Sequence, residues 1–160
     1  MTSGEEPEPA VRVEVVRGGT LVVHLDGSPG SVRAARLAAE QFLATDAPHV
    51  PDRPPAAGAA PGGAPKASVD TLMVVGELVA NACRHAPGPC RLTLRCTPSG
   101  AEITVRDGGD RQPLDRGVRA PGYGLMIVKR LTGGVRVLSH GGGKTVQATV
   151  PFAGVRPRLG

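Results

Sequence analysis

The chain has 160 residues, of which 23 are glycine and 16 are proline, together about a quarter and close to the range where low complexity sets in. Aromatic residues make up 2% with no tryptophan, which argues against a stacking platform for single-stranded nucleic acid. The net charge of +5 comes from 19 basic against 14 acidic residues, and the arginines are scattered singly, so it reads as a solvated surface and not as a direct nucleic-acid interface.

Hydrophobic residues at 40% suffice for one core if glycine and proline are concentrated in loops. The first ten residues, MTSGEEPEPA, are acidic, carry no apolar run and read as a disordered N-terminus, not a secretory signal. Nowhere does an apolar stretch reach the length of a membrane span, so no membrane association and a cytoplasmic location are expected. Val11, Val13 and Val15 alternate with polar neighbours, as do Leu21, Val23 and Leu25, and the Gly18-Gly19 pair between them signals a hairpin. Ser31 is placed as the N-cap of a helix whose apolar face is Val32, Ala35, Ala39, Phe42 and Leu43.

Residues 46–67 hold many of the prolines and almost no large hydrophobes, which predicts a mobile Pro/Ala/Gly-rich insertion. Ser68 is placed as the cap of a second helix with Leu72, Val75, Val79 and Ala82 on one face, ending at Pro87-Gly88-Pro89. Two strands follow, Arg91 to Cys96 and Glu102 to Arg106, joined by the turn Pro98-Ser99-Gly100. A polar Gly- and Arg-rich loop then leads to a short helix from Leu125 to Leu131. Strands at Val135 and Val137 and at Val146, Ala148 and Val150 complete the chain, with 153–160 as a frayed tail. The order β-β-α-α-β-β-α-β-β predicts an α+β fold, a two-layer sandwich of a mixed, mostly antiparallel sheet with helices on one face. One domain over residues 11–152 is expected. Cys83, Cys90 and Cys96 are odd in number and lack a CxxC, so they read as small buried hydrophobes.

Four constellations carry chemistry. Glu77, Asn81 and His85 lie one helical turn apart. The carboxamide of Asn81 is able to ligate a hard cation and the carboxylate of Glu77 to take a proton, although the same spacing also describes an ordinary polar helix face. Asp107-Gly108-Gly109 follows a strand, either presenting a carboxylate to an exocyclic amine or making a tight turn. Gly122-Tyr123-Gly124-Leu125 opens a helix whose N–H groups favour an anion. Gly141-Gly142-Gly143-Lys144-Thr145 precedes the last strand, as a close backbone approach to a ligand or a plain hairpin turn. Because a strand follows it, Gly143-Lys144-Thr145 is not a helix-opening phosphate loop.

Taken in order, Glu-x-x-x-Asn, Asp-x-Gly, Gly-x-Gly-Leu and the terminal Gly-rich Thr segment resemble the GHKL ATP-binding superfamily, the Bergerat fold, over about residues 31–152. The stretches VVGELVANACRHA and GYGLMIVKRL resemble most its single-domain bacterial anti-sigma-factor serine/threonine kinases. That resemblance implies ATP and Mg²⁺ as cofactors, Asn81 as metal ligand and Glu77 as general base. It implies Asp107 at the adenine amine with Gly109 beside it, Gly122 and Gly124 on the phosphate side, and Thr145 near the adenine and Asp107. His85 matches the end of the family's helix motif and equally reads as a packing residue. One of Arg111, Arg116 and Arg119 would reach the γ-phosphate. The implied partners are a sigma factor and an anti-sigma-factor antagonist of the STAS type, with a homodimer as an open assembly state. A non-catalytic ATP-binding partner-switching module and the catalytic fragment of a histidine kinase are the alternatives, the latter disfavoured because no phosphoacceptor helix pair precedes the domain. The insertion at 46–67 is longer than this family leads one to expect, and the acidic N-terminus has no counterpart in it.

Overall fold

A computed structural model of the chain describes residues 11–16, 18–47, 66–108 and 123–152. The elements in chain order are β1 (Val11–Val16), β2 (Thr20–Leu25), α1 (Ser31–Thr45), α2 (Lys66–His85), β3 (Cys90–Thr97), β4 (Gly100–Asp107), α3 (Tyr123–Thr132), β5 (Val135–His140) and β6 (Gly143–Pro151). This is the order expected from the periodicities. The strands form one six-stranded sheet in the order β1-β2-β3-β4-β6-β5, and every pairing is antiparallel.

Strand alternation makes the sheet two-faced. Leu21, Val23 and Leu25 of β2, Leu92 and Leu94 of β3, Ile103 and Val105 of β4, and Val146, Ala148 and Val150 of β6 are buried. They meet Phe42 of α1 and Val74, Val75, Leu78 and Val79 of α2 in one core. Each of the valine, leucine, isoleucine and phenylalanine side chains, fully buried, contributes on the order of 1.5–3 kcal/mol. The other face carries Arg91, Arg95, Glu102, Arg106 and Thr149 and packs no described helix. The result is the two-layer α+β sandwich with helices on one face.

The sheet order places the site. After β4 ends at Asp107, the chain crosses through α3 to the edge strand β5 and returns as β6 into the slot beside β4. The last residue of β4 and the first residues of β6 therefore lie side by side, with Asp107 opposite Lys144.

Several local expectations change. Ser31 is not the N-cap of α1: Gly30 holds that position without a side-chain bond, and Ser31 is the first helical residue and buried. The Ser31 hydroxyl donates instead to Asp26 Oδ1 (3.0 Å) and its Oγ accepts from the Gly27 N–H (3.1 Å). With its proton on the Asp26 carboxylate and its oxygen accepting from Gly27, the Ser31 side chain is committed to the preceding loop and not to the first N–H groups of α1. The hydroxyl and N–H of Ser28 then hold the Asp26 carboxyl below its ordinary value. Ser68 is likewise no cap but a buried residue in the first turn of α2, which begins earlier, at Lys66. An ion pair between Lys66 and Asp70 one turn later supports that extra turn. The insertion accordingly loses Lys66 and Ala67 to α2. Residues 48–65, the N-terminus 1–10 and the tail 153–160 lie outside the described residues. On β1 the alternation is right, yet Val13 and Val15 are 49% and 52% exposed, because α1 covers β2 and only brushes this edge strand.

Candidate functional site

The site is built where α2, α3 and the adjacent ends of β4 and β6 meet. Glu77 and Asn81 sit one turn apart on α2 and are both half-buried. Their neighbours Leu78, Val79 and Ala82 point into the core, which fixes the helix rotation and leaves the two polar residues at the margin of the packed face. His85, one turn further, is exposed.

Gly124, near the start of α3, lies directly against the Glu77 carboxylate: a Cβ at Gly124 would overlap Glu77 Oε2 and stand 3.1 Å from its Cδ. The absent side chain is what allows the N-terminus of α3 to approach the carboxylate of α2 so closely. Gly124 and Glu77, 47 residues apart in the chain by numbering, thus meet in one wall.

The second wall is Asp107. Its side chain is almost completely buried, at 1% exposure, and its partner is Lys144, at 7%, with Nζ 3.2 Å from Oδ2. The Lys144 backbone N–H also donates to Oδ1 (3.3 Å). The register pairs these residues directly across β4 and β6, so both side chains stand on the helix-covered face. Gly143 precedes Lys144 with φ +145°, and a Cβ there would collide with the Asp107 carbonyl oxygen. Glycine is required at that point both for the conformation and for the approach.

Thr145 is not brought to Asp107. It pairs with Arg106 in the register and stands on the open face of the sheet, where its Oγ1 lies 3.0 Å from His140 Nε2. Period-two alternation allows adjacent residues of a strand no common face. Gly109, Gly122 and the arginines Arg111, Arg116 and Arg119 lie outside the described residues. Lys144 is the residue missed by reading the Gly-rich segment as a turn. Its signal was present, since extending the parity of Val146, Ala148 and Val150 back by one step puts position 144 on the buried face.

The donor set at α2 fits a hard cation. Asn81 offers a carboxamide oxygen and Glu77 a carboxylate, and Mg²⁺ is commonly held by one or two protein oxygens together with phosphates and water. Among the described residues no group of three or more His, Cys, Asp or Glu could hold a metal ion.

Cys90 pairs with Asp107 across β3 and β4, while Cys96 pairs with Ala101 at the other end of the same strands. Burial, followed by the proximity of the Cys83 thiol and of Asp107, pushes the Cys90 thiol up to about 12, and burial raises Cys96 to about 11. At pH 8 roughly one in 10³ to 10⁴ of such thiols is ionised. We expect iodoacetamide at pH 8 to modify half-exposed Cys83 quickly, with Cys90 and Cys96 reacting only after denaturation. Mass spectrometry of timed samples checks this, and early modification of Cys90 or Cys96 would contradict the burial seen here.

A family model described as a histidine kinase-like ATPase domain matches residues 25–150. Among solved structures, the chain resembles the crystal structure of the RsbU and RsbW domains of Rv1364c from Mycobacterium tuberculosis, with a TM-score of 0.55 at 20% identity. The likeness covers 81% of this chain and 31% of that one, so this chain spans about a third of the length of its structural relative. At such identity the likeness speaks for the fold alone. No curated protein matches the chain. Among the described residues no helix is long and apolar enough to cross a membrane.

Proposed function

The chain belongs to the histidine kinase-like ATPase domain family, and on that premise we propose that it is an ATP-dependent serine/threonine protein kinase of the anti-sigma type. It binds Mg²⁺·ATP, transfers the γ-phosphoryl group to a serine or threonine of a STAS-type antagonist, and sequesters a sigma factor when the antagonist is phosphorylated. The observation that carries this reading is the Glu77 carboxylate held against Gly124 at the entrance of α3, with Asn81 one turn along. A proton acceptor, a cation ligand and a helix N-terminus are the parts that phosphoryl transfer needs from a protein.

In this reading Glu77 takes the proton of the attacking hydroxyl as its oxygen bonds to the γ-phosphorus and ADP leaves. Asn81 would hold Mg²⁺, which when bound neutralises charge on the phosphate oxygens. Asp107 accepts from the amine of the base, with Gly109 beside it, and Gly122 and Gly124 give the phosphates bare backbone. Thr145 supports β5 through His140 and has no part in base binding. The motif order, through the family resemblance it carries, supports the choice of partners. A second reading, a non-catalytic partner-binding module, is favoured by one observation: Asp107 already holds an internal cation in Lys144.

The two are separated by incubating the protein with γ-labelled ATP and candidate antagonist domains. Label on an antagonist serine or threonine is the expected result, whereas ATP binding without transfer to any antagonist would leave the non-catalytic module. Asn81→Ala should lose the Mg²⁺-dependent part of ATP affinity, seen by titration with and without the cation. An unchanged Mg²⁺ dependence would remove Asn81 as a ligand.

Gly124→Ala tests the wall between α2 and α3. The new methyl meets the flexible end of Glu77, which is able to swing aside, and alanine is the better helix former by about 0.5–1 kcal/mol. We expect denaturation midpoints close to those of the parent, with transfer reduced about tenfold or more by the displaced carboxylate. Full transfer in a stable variant would mean that the Glu77 position does not matter.

A further inference from the structure

The residue across from Asp107 bears on which base the site accepts. On the reading that this is a nucleoside triphosphate site, we propose that Lys144 and Asp107 form a base-selecting pair that admits a purine with a keto oxygen at position 6 alongside adenine. Three observations carry this assignment. Lys144 is directly opposite Asp107 in the β4–β6 register, so both side chains face the helix layer and not the open face. Their polar ends are 3.2 Å apart and both side chains are nearly sealed from solvent, so each is the other's immediate partner. Thr145, the neutral hydroxyl next along β6, stands on the other side of the sheet and is bonded toward His140, so it offers the base no donor.

The selectivity follows from electrostatics. A lone buried carboxylate accepts well from an exocyclic amine and repels a keto oxygen, since both present lone pairs. A carboxylate joined to an ammonium is a neutral couple with both kinds of group. The ammonium carries three N–H donors, enough to bond Asp107 and a further acceptor at once. Against adenine, Asp107 accepts from the 6-amine while Lys144 donates to the ring nitrogen beside it. Against hypoxanthine or guanine, Lys144 donates to the 6-oxygen while Asp107 accepts from the ring N–H. The four-carbon stem of lysine lets the charge adjust between these arrangements in a way that the planar fork of arginine would not. Gly143 contributes by leaving no side chain beside the Asp107 carbonyl, which lets the two strand ends approach closely enough for Lys144 to meet Asp107.

The experiment measures displacement of a fluorescent ATP analogue from the whole chain by ATP, ITP and purine riboside triphosphate, which has no group at position 6. In the parent protein, ITP is expected to bind within about tenfold of ATP, and purine riboside triphosphate more weakly than either. In Lys144→Met, which keeps the length and loses the donor, the ITP-to-ATP dissociation-constant ratio is expected to rise about tenfold or more. Parent protein that binds ATP but binds ITP no better than purine riboside triphosphate would overturn the assignment and leave the ATP-site reading intact. So would an ITP-to-ATP ratio that Lys144→Met does not move. The ligand series on the parent protein keeps the proposal testable if the variant folds poorly. Failure of all three nucleotides to bind would overturn the nucleotide-site reading itself, and with it this one.

Discussion

Glu77→Gln is expected to slow phosphoryl transfer by about a hundred- to ten-thousandfold, the usual contribution of a positioned general base, while ATP affinity changes by no more than about threefold. Glutamine has the shape of glutamate and meets the same bare backbone at Gly124, so the contact between α2 and α3 survives. What disappears is the basicity needed in the transition state, and such a loss lowers the rate without weakening the ground-state complex. Single-turnover transfer from labelled ATP to the antagonist gives the rate, and titration gives the affinity. A variant with the parent rate would take Glu77 out of the chemistry. A variant that mainly loses Mg²⁺-dependent affinity would move Glu77 from proton acceptor to cation ligand.

Asp107→Ala is expected to cost about 3–5 kcal/mol of stability, the usual penalty for removing one member of a buried ion pair. Both side chains are more than nine-tenths buried, so solvent screens the interaction little. The loss has two parts: the attraction disappears, and the Lys144 ammonium is left in a desolvated place without its carboxylate. A domain of ordinary stability, about 5–15 kcal/mol, would give up a large share of its margin. The double change Asp107→Ala with Lys144→Met removes both charges and should recover most of the loss. Urea unfolding of the two variants beside the parent protein checks this, and an Asp107→Ala midpoint equal to the parent's would show that the pair contributes nothing. The double variant should also bind no base selectively, whichever purine is offered.

How much of this was legible before the structure differs by feature. The hairpins and helices follow from apolar positions repeating at two or at three to four residues, and these periods survive any change of tertiary context. Val13 and Val15 face the core side of the sheet and still lie exposed, because alternation reports which way a side chain faces and not whether anything covers it. Ser31 and Ser68 have the right chemistry for caps, but a serine oxygen before an apolar run has other partners besides the helix N–H groups. At Ser31 the carboxylate of Asp26, five residues away, took the hydroxyl. At Ser68 the chain continued helical one turn further back.

Motif order alone brought together Glu77, Asn81, Asp107 and Gly124 as candidates and implied the family that residues 25–150 match. Those residues sit on strongly periodic elements, and their mutual order in the chain is a property of one dimension. Contact across the sheet is different in kind. That Asp107 faces Lys144 and not Thr145 depends on the β4–β6 register, and one step of register exchanges every side chain between the two faces. Composition, periodicity and spacing therefore established the fold class, the element order and the polar stripe of α2. The closure of Gly124 on Glu77 and the neutralisation of Asp107 by a buried lysine came from packing between segments far apart in the chain, where geometry in three dimensions chooses the partner.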